Sequence, residues 1–243
     1  MVAVRICRIP NRSPRKNTAV QRISRIGDSI RLPLFRRRRY RGRIAVIGSP
    51  SHFAEKSIGF AATGDDTGTV TCVREAVEAD IPVLREIERA AGEPFARVGM
   101  IEIAEDEPPS VEALRGYLEA GRAWVVEEDG AVVAYLVADL IDGNAHIDQV
   151  SVRPELRGRG LGKLLIDRLV AWARERGLAA ITLTTFTEVP WNGPYYARIG
   201  FRQLPPEERT PGLRAVCAAE AAHGLERWPR TCMRAEVSAW QAG

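Results

Sequence analysis

Between residues 70 and 237, segments whose apolar residues have helical spacing alternate with segments whose apolar residues are typical of strands. Helical spacing predicts helices at 80–91, 110–120, 161–176 and 215–222. β-Branched and apolar runs predict strands at 70–76, 123–127, 131–140, 146–152, 180–186 and 231–237. Asp80 and Ser110 stand where a helix N-cap is expected, and Gly177 stands where the third helix should end. The pattern therefore predicts one α/β domain.

The order of these elements predicts the topology of the sheet. Asp129–Gly130 and Asp142–Gly143–Asn144 are tight-turn sequences, so the strands from 123 to 152 should form an antiparallel meander. The strand, helix and strand over 146–186 form a βαβ unit, whose two strands should be parallel with a right-handed crossover. We expect a mixed, mostly antiparallel twisted sheet with one parallel βαβ unit, flanked by helices.

The charge divides the chain into two parts. Residues 1–43 hold 14 of the 35 Lys and Arg residues but one of the 31 acidic residues, for a net charge of +13, and the remainder has a net charge of −9. Residues 61–69 consist of Ala, Thr, Gly and Asp, which is typical of a linker. We therefore predict a basic, disordered N-terminal extension over 1–68 and a folded domain over 69–243.

Three interpretations of the extension stay open: a basic tail for nucleic acid or an anionic surface, an organellar transit peptide, or a segment without function. We favour the last, because charge runs are usually only solvated. The chain has no run of about 18 apolar residues, and its four cysteines show no zinc spacing. We expect free thiols, no metal, no membrane partner and a cytoplasmic protein, and we leave a homodimer open.

A turn rich in Gly and Arg joins the strand at 146–152 to the helix at 161–176. Gly residues allow a ligand to approach the backbone, and a helix N-terminus offers free N–H groups and partial positive charge. The turn is thus a candidate phosphate cradle. It lacks the spacing of a P-loop, because Arg157 stands where the first Gly is needed and Leu164 follows Lys163. It also lacks the third Gly of a dinucleotide motif, where Lys163 stands.

Two motifs together resemble one family. Arg157-x-x-Gly160-x-Gly162 at a strand-to-helix junction resembles the acetyl-CoA motif of the GCN5-related N-acetyltransferase (GNAT) family. Tyr196-x-x-x-Gly200-Phe201 resembles that family's second signature. The resemblance covers about residues 70–237 and implies a fold of the acyl-CoA N-acyltransferase type. It also implies transfer of an acetyl group from acetyl-CoA, as co-substrate, to a primary amine in a ternary complex.

The resemblance also implies roles for individual residues. Main-chain groups of Val150, Ser151 and Val152 would hold the pantetheine arm like another strand and polarise the thioester carbonyl. The pyrophosphate would lie on the turn formed by Arg157, Gly158, Arg159, Gly160, Leu161, Gly162 and Lys163. Tyr196 would be the acid that protonates the departing sulfur, while Tyr195 is expected to pack.

The base and the acceptor stay open. Many relatives carry a glutamate on the central strand, where this sequence has Asp148 and Gln149. Asp148 could act directly or through a water, and Glu188 is a second candidate. His146 is expected to be structural, and Trp191 either packs or lines the acceptor pocket. The acceptor is a small-molecule or peptide amine. The alternative function is a catalytically weak module that binds or senses acyl-CoA.

Overall fold

The computed structural model describes residues 3–4, 60–61 and 70–242 of the chain. Their nine strands are β1 Ala3–Val4, β2 Phe60–Ala61, β3 Thr71–Glu75, β4 Ala123–Glu128, β5 Ala131–Ile141, β6 Asn144–Val152, β7 Ala180–Phe186, β8 Arg202–Leu204 and β9 Arg230–Glu236. The α-helices are α1 Ile81–Gly92, α2 Ile101–Ala104, α3 Val111–Glu119, α4 Leu161–Glu175, α5 Gly193–Arg198 and α6 Pro211–Ala222.

All nine strands belong to one sheet, with the order β2-β3-β4-β5-β6-β7-β9-β8 and with β1 paired to β6. Every pairing is antiparallel except that of β6 with β7, which α4 connects. The predicted fold class, a mixed and mostly antiparallel sheet with one parallel βαβ unit, is confirmed. The prediction for β7 matches its observed bounds at both ends.

A β-bulge in β6 organises the two faces of the sheet. Val137 of β5 pairs with Gln149 and the next residue, Ala138, pairs with Ile147, so Asp148 is an extra residue in β6. Because of this extra residue, the apolar residues before and after the bulge point to the same face of the sheet. The α4 side of β6 then consists of core residues, namely Ala145, Ile147, Val150 and Val152. The opposite side carries His146, Asp148, Gln149 and Ser151 and faces α1.

The helices cover these two faces with separate cores. Leu165, Leu169 and Trp172 of α4 are buried against one face, as their helical spacing predicts. Leu84 and Ile87 of α1 and Leu114 of α3 pack on the other face, against β4 and β5. Full burial of a large apolar side chain contributes about 1.5–3 kcal/mol, so the two layers stabilise the sheet from both sides.

The local end signals are confirmed with one exception. Ser110 accepts a hydrogen bond from the Ala113 N–H at 3.2 Å and caps α3 as predicted. The prediction that Asp80 caps α1 is wrong. Its carboxylate instead accepts two hydrogen bonds from the Arg74 guanidinium and one from the Val77 N–H, which lies before a 3₁₀ turn. A nearby cation on β3 binds the carboxylate more strongly than the helix end does.

Turns and short elements complete the chain. Asp129 and Asp142 have φ values of 49° and 48° and are each followed by a glycine with positive φ, which confirms both tight turns. The segment between the first two predicted helices, for which the sequence pattern predicts no element, contains a 3₁₀ helix, Glu93–Val98, and α2. The short strand β8 was not predicted either, because three residues are too few for a periodic signal.

Two short pieces of the predicted N-terminal extension pair with the sheet. In β1, Ala3 pairs with Ser151 and Val4 with Val150. In β2, Phe60 pairs with Val73 and Ala61 with Cys72. The rest of the predicted extension over 1–68 lies outside the described residues, so the boundary at 68/69 stays a prediction. Among the described residues, no helix is long and apolar enough to cross a membrane.

His146 is buried within the sheet in its neutral form. Its Nδ1 lies 3.0 Å from Thr182 Oγ1, and its Nε2 has no hydrogen-bond partner among the described residues. Burial lowers the pKa of His146 from 6.5 to about 4. The residue therefore couples folding to pH, because the unfolded chain takes up a proton that the folded chain excludes.

We expect the free energy of unfolding to fall as the pH drops from about 6.5 to about 4. The slope contributed by His146 should approach ~1.4 kcal/mol per pH unit, since the unfolded state binds one more proton in that window. Urea unfolding of the wild type and His146→Gln at several pH values measures it. Subtracting the unfolding free energies of the two proteins removes the contribution of the carboxylates, which both share. Curves of unfolding free energy against pH that stay parallel for the two proteins would contradict the prediction.

Candidate active site

The sheet opens between β6 and β7. The two strands pair at Ala145 with Ile181 and at His146 with Thr182, and β6 continues beyond that point for six residues. Along this continuation, one edge of β6 pairs with β5 and the other edge receives β1 at Val150 and Ser151. The main chain of 150–152 thus presents a second edge to the opening, and an extended segment already pairs with it.

The Gly-rich turn lies at the end of this strand. Gly158 and Gly160 have φ values of 82° and 80°, the left-handed region that glycine adopts without strain. The carbonyl of Gly160 accepts the N–H groups of Lys163 and Leu164, which starts α4. The earlier N–H groups of the first helical turn have no helical acceptor, so they can bind an anion.

The three cations of the turn have partners within the protein. Arg159 forms an ion pair of 2.9 Å with Glu128, and Lys163 forms one of 2.9 Å with Asp167. The Arg157 guanidinium lies 3.4 Å from the Ala91 carbonyl at the end of α1, and its Nε is buried without a hydrogen-bond partner among the described residues. Burial lowers the pKa of Arg157. Arg159 and Lys163 are thus paired with carboxylates, whereas Arg157 contacts a neutral carbonyl.

Tyr196 lies on the α4 side of the sheet. Its ring is fully buried and packs edge-on against Phe201 at 5.5 Å and Tyr195 at 5.3 Å. Its hydroxyl is buried and has no hydrogen-bond partner among the described residues. Burial raises the pKa of Tyr196 well above its usual value, so the phenol stays protonated at neutral pH. A buried hydroxyl without a partner is uncommon in native structures.

The candidate bases occupy different places. Asp148 is the bulged residue of β6, half-buried on the α1 side, at the point where β6 and β7 separate. Glu188 is exposed on the loop after β7. His146 is a poor candidate for the base near neutral pH, because burial lowers its pKa to about 4 and its ring is buried.

A buried carboxylate that the sequence did not reveal lies on the same face as Asp148. Glu88 of α1 is 2% exposed and accepts hydrogen bonds from the Tyr135 hydroxyl at 2.7 Å and the Ser151 hydroxyl at 2.8 Å. Gln149 donates to Ser151 at 2.9 Å. This network connects α1 to the open edge of β6. Only the packing of α1 on the sheet brings these residues together, since Glu88 falls in a helical pattern without any motif.

An apolar cluster closes the end of β7. Trp191 packs edge-on against Phe95 at 5.6 Å, and Phe95 packs against Phe186 at 5.8 Å. Trp191 is only half-buried, and its indole Nε1 has no hydrogen-bond partner among the described residues. Within 70–242, no group of three or more His, Cys, Asp or Glu side chains is arranged to hold a metal ion.

Comparisons with known proteins agree with this geometry. Residues 84–201 match the sequence model of the Acetyltransferase (GNAT) family. An uncharacterized N-acetyltransferase of Methanocaldococcus jannaschii is 34% identical over 59 residues, which are 24% of this chain and 26% of that protein. The chain thus matches about a quarter of the length of this curated relative.

Solved structures share the fold. A GNAT-family acetyltransferase of Staphylococcus aureus has a TM-score of 0.55 and 14% identity, over 69% of this chain and 99% of that one. The PaiA N-acetyltransferase of Thermoplasma acidophilum, in complex with coenzyme A, has a TM-score of 0.52 and 14% identity, over 68% and 98%.

N-acetylglutamate synthase of Neisseria gonorrhoeae, in complex with coenzyme A and N-acetyl-glutamate, has a TM-score of 0.52 and 16% identity. That match covers 69% of this chain and 35% of the synthase. Because the identities are low, these structures establish the fold alone. The family model itself, whose matched residues run from α1 to Phe201 and include both motifs, shows that residues 84–201 belong to an acetyltransferase domain of the GNAT family.

Proposed function

We propose that the chain is an N-acetyltransferase that moves an acetyl group from acetyl-CoA directly to a primary amine. The observation that carries the proposal is the opening between β6 and β7, where the edge of Val150–Val152 already pairs with an extended segment. The acceptor is a small-molecule or peptide amine.

The residues present fit acetyl-CoA. An extended pantetheine arm could form strand-like hydrogen bonds with Val150, Ser151 and Val152, as β1 does at two of these positions. The turn from Arg157 to Lys163 would hold the pyrophosphate through backbone N–H groups and the N-terminus of α4. When bound, acetyl-CoA would supply the acetyl group as an activated thioester.

The acid and the base approach the opening from opposite faces of the sheet. Tyr196 belongs to the core on the α4 side, and its protonated hydroxyl would donate to the departing sulfur. Asp148 lies on the α1 side, where it would take a proton from the amine directly or through a water. This separation lets the amine enter from one face while the sulfur is held at the other.

Three carboxylates are candidates for the base, and their positions rank them. Asp148 ranks first, because the bulge places it beside the separating strands. Glu88 ranks second: its hydrogen bonds from Tyr135 and Ser151 hold it near the same edge, although it is buried. Glu188 ranks last, because it is exposed on a loop.

One specific observation supports the alternative, a module that binds acyl-CoA without efficient turnover. Gln149, a residue that cannot act as a base, stands beside Asp148 on the central strand. The intact Tyr196 and its hydroxyl without a partner favour the enzyme. Turnover on a panel of amines separates the two functions, since both require acetyl-CoA binding.

The first prediction of this proposal concerns the cradle. Gly160→Asp should weaken acetyl-CoA binding more than Gly160→Asn, because the carboxylate repels the pyrophosphate. Both variants carry the same left-handed backbone cost at φ 80°, and a side chain there meets no atom within 4 Å of its Cβ. Calorimetry should show acetyl-CoA affinities that differ between the two variants on the order of tenfold or more. Equal affinities would contradict the assignment of the pyrophosphate to this turn.

The second concerns the acid. Tyr196→Phe should preserve acetyl-CoA affinity and the free energy of unfolding, because it removes a hydroxyl that has no partner among the described residues. Turnover with a confirmed amine should fall on the order of tenfold to several hundredfold, the usual range for acid–base catalysis. Tyr195→Phe is the matched control and should retain activity. Unaltered turnover in Tyr196→Phe would make the tyrosine a packing residue.

The third concerns β1, which pairs with the edge assigned to pantetheine. Prolines at both Ala3 and Val4 should disrupt this pairing, because proline has no N–H. Acetyl-CoA affinity should then rise by several-fold to about tenfold, given that each backbone hydrogen bond contributes about 1 kcal/mol net.

The matched control places prolines at Phe60 and Ala61 of β2, which pairs with β3 away from the opening. That variant should bind acetyl-CoA like the wild type. Unchanged affinity in both variants would show that β1 and acetyl-CoA do not compete, without affecting the assignment of the cradle.

A further inference from the structure

Two cysteines that are 15 residues apart in the sequence meet beside a cavity on the α1 side of the sheet. Cys217 of α6 and Cys232 of β9 have their Sγ atoms 3.2 Å apart, and both are free thiols. A cavity of about 250 Å³ lies next to them, lined by Thr184, Arg209, Cys217, Glu220 and Arg230 among others. Cys217 is half-buried and lines this cavity, whereas Cys232 is fully buried behind it.

The two thiols are chemically unequal. The hydrogen bond from Cys232 lowers the pKa of Cys217 to about 7, against the effect of its burial. Arg209 and Arg230 also lower the pKa of Cys217, and Glu220 raises it. The hydrogen bond with Cys217 and burial raise the pKa of Cys232. At neutral pH, Cys217 is thus the nucleophile of the pair and Cys232 holds its proton.

Two arginines that line the cavity each have a nitrogen without a hydrogen-bond partner among the described residues. The Arg230 side chain is 10% exposed; it bonds to Glu220 at 2.8 Å, but its Nη1 is buried without a partner. The Nε of Arg209 is likewise buried without a partner, and the Nη1 of Arg209 lies 3.9 Å from Cys217 Sγ. The two arginines place positive charge beside the Cys217 sulfur, which would stabilise an oxygen that develops negative charge there.

We propose that Cys217 and Cys232 form a dithiol site that reduces hydrogen peroxide or a small organic hydroperoxide and becomes an intramolecular disulfide. The Cys217 thiolate attacks one peroxide oxygen, so an S–O bond forms and the O–O bond breaks. The departing oxygen, held by the arginines, takes up a proton and leaves as water or an alcohol. Cys217 is then a sulfenic acid.

Cys232 completes the reaction. Its thiol attacks the Cys217 sulfur, an S–S bond forms, the S–O bond breaks, and the hydroxide leaves as water with the proton of Cys232. The two sulfurs lose two electrons in total and the peroxide gains two. A contact of 3.2 Å needs a movement of about 1 Å to reach the ~2.05 Å of a disulfide bond.

The test treats the full chain with a small excess of hydrogen peroxide, in a background in which Cys7 and Cys72 are replaced by serine. We expect the protein to lose two thiols and the mass of two hydrogens, and peptide mapping to join Cys217 to Cys232. The rate should rise with pH through about 7, as the Cys217 thiolate forms. Two intact thiols, or oxidation to sulfinic acid in place of a disulfide, would overturn the proposal.

Single variants assign the two roles. Cys232→Ser should accumulate a sulfenic acid at Cys217 that dimedone traps, because the second thiol is missing. Cys217→Ser should react with peroxide at least about tenfold more slowly, since the remaining thiol is mostly protonated. A dimedone adduct on Cys232 in place of Cys217 would overturn this assignment. None of these outcomes depends on acetyl-CoA, so the result is independent of the proposed acetyltransferase activity.

Discussion

The separation of β6 from β7 is the constraint on which the rest of this structure depends. A parallel pair with a crossover helix normally forms hydrogen bonds along its whole length. Here the pairing ends after His146 and Thr182, although β6 continues to Val152. The backbone groups exposed by the separation need partners, because unpaired buried groups cost as much as lost hydrogen bonds. In this structure β1 pairs with part of that edge, and the proposed extended ligand would take the same place.

The bulge at Asp148 makes this separation compatible with a packed core. Without the extra residue, Val150 and Val152 would turn to the face of α1, and Gln149 and Ser151 would enter the core beneath α4. With it, the apolar residues stay under α4 and the polar residues meet Glu88. Burying a carboxylate is costly unless it is hydrogen-bonded, and the Tyr135 and Ser151 hydroxyls meet that need. The polar residues on the α1 side of β6 therefore remain buried and hydrogen-bonded close to the opening between β6 and β7.

Local signals predicted most of the fold, and long-range contacts account for the rest. Asp129–Gly130, the Ser110 cap and the β-branched run of β7 are each local signals, so the sequence was sufficient for them. The ion pair of Asp80 with Arg74, the network of Glu88 and the meeting of Cys217 with Cys232 depend on tertiary packing. No spacing within one segment encodes such contacts. The same holds for the candidate site. Its two motifs could be recognised in the sequence, whereas the buried carboxylate of Glu88 could not.

The cradle shows why the glycines matter more than the charges around them. Arg159 and Lys163 are held by Glu128 and Asp167, so their charge is largely compensated before any anion arrives. Backbone N–H groups cannot be compensated in this way, because the helix itself has no acceptors for them. Only a turn with positive φ at two positions aims those groups at one point, and glycine adopts that geometry without strain. The proposed anion site at this turn therefore depends on its backbone shape, and the carboxylate partners of Arg159 and Lys163 hold those two side chains in place.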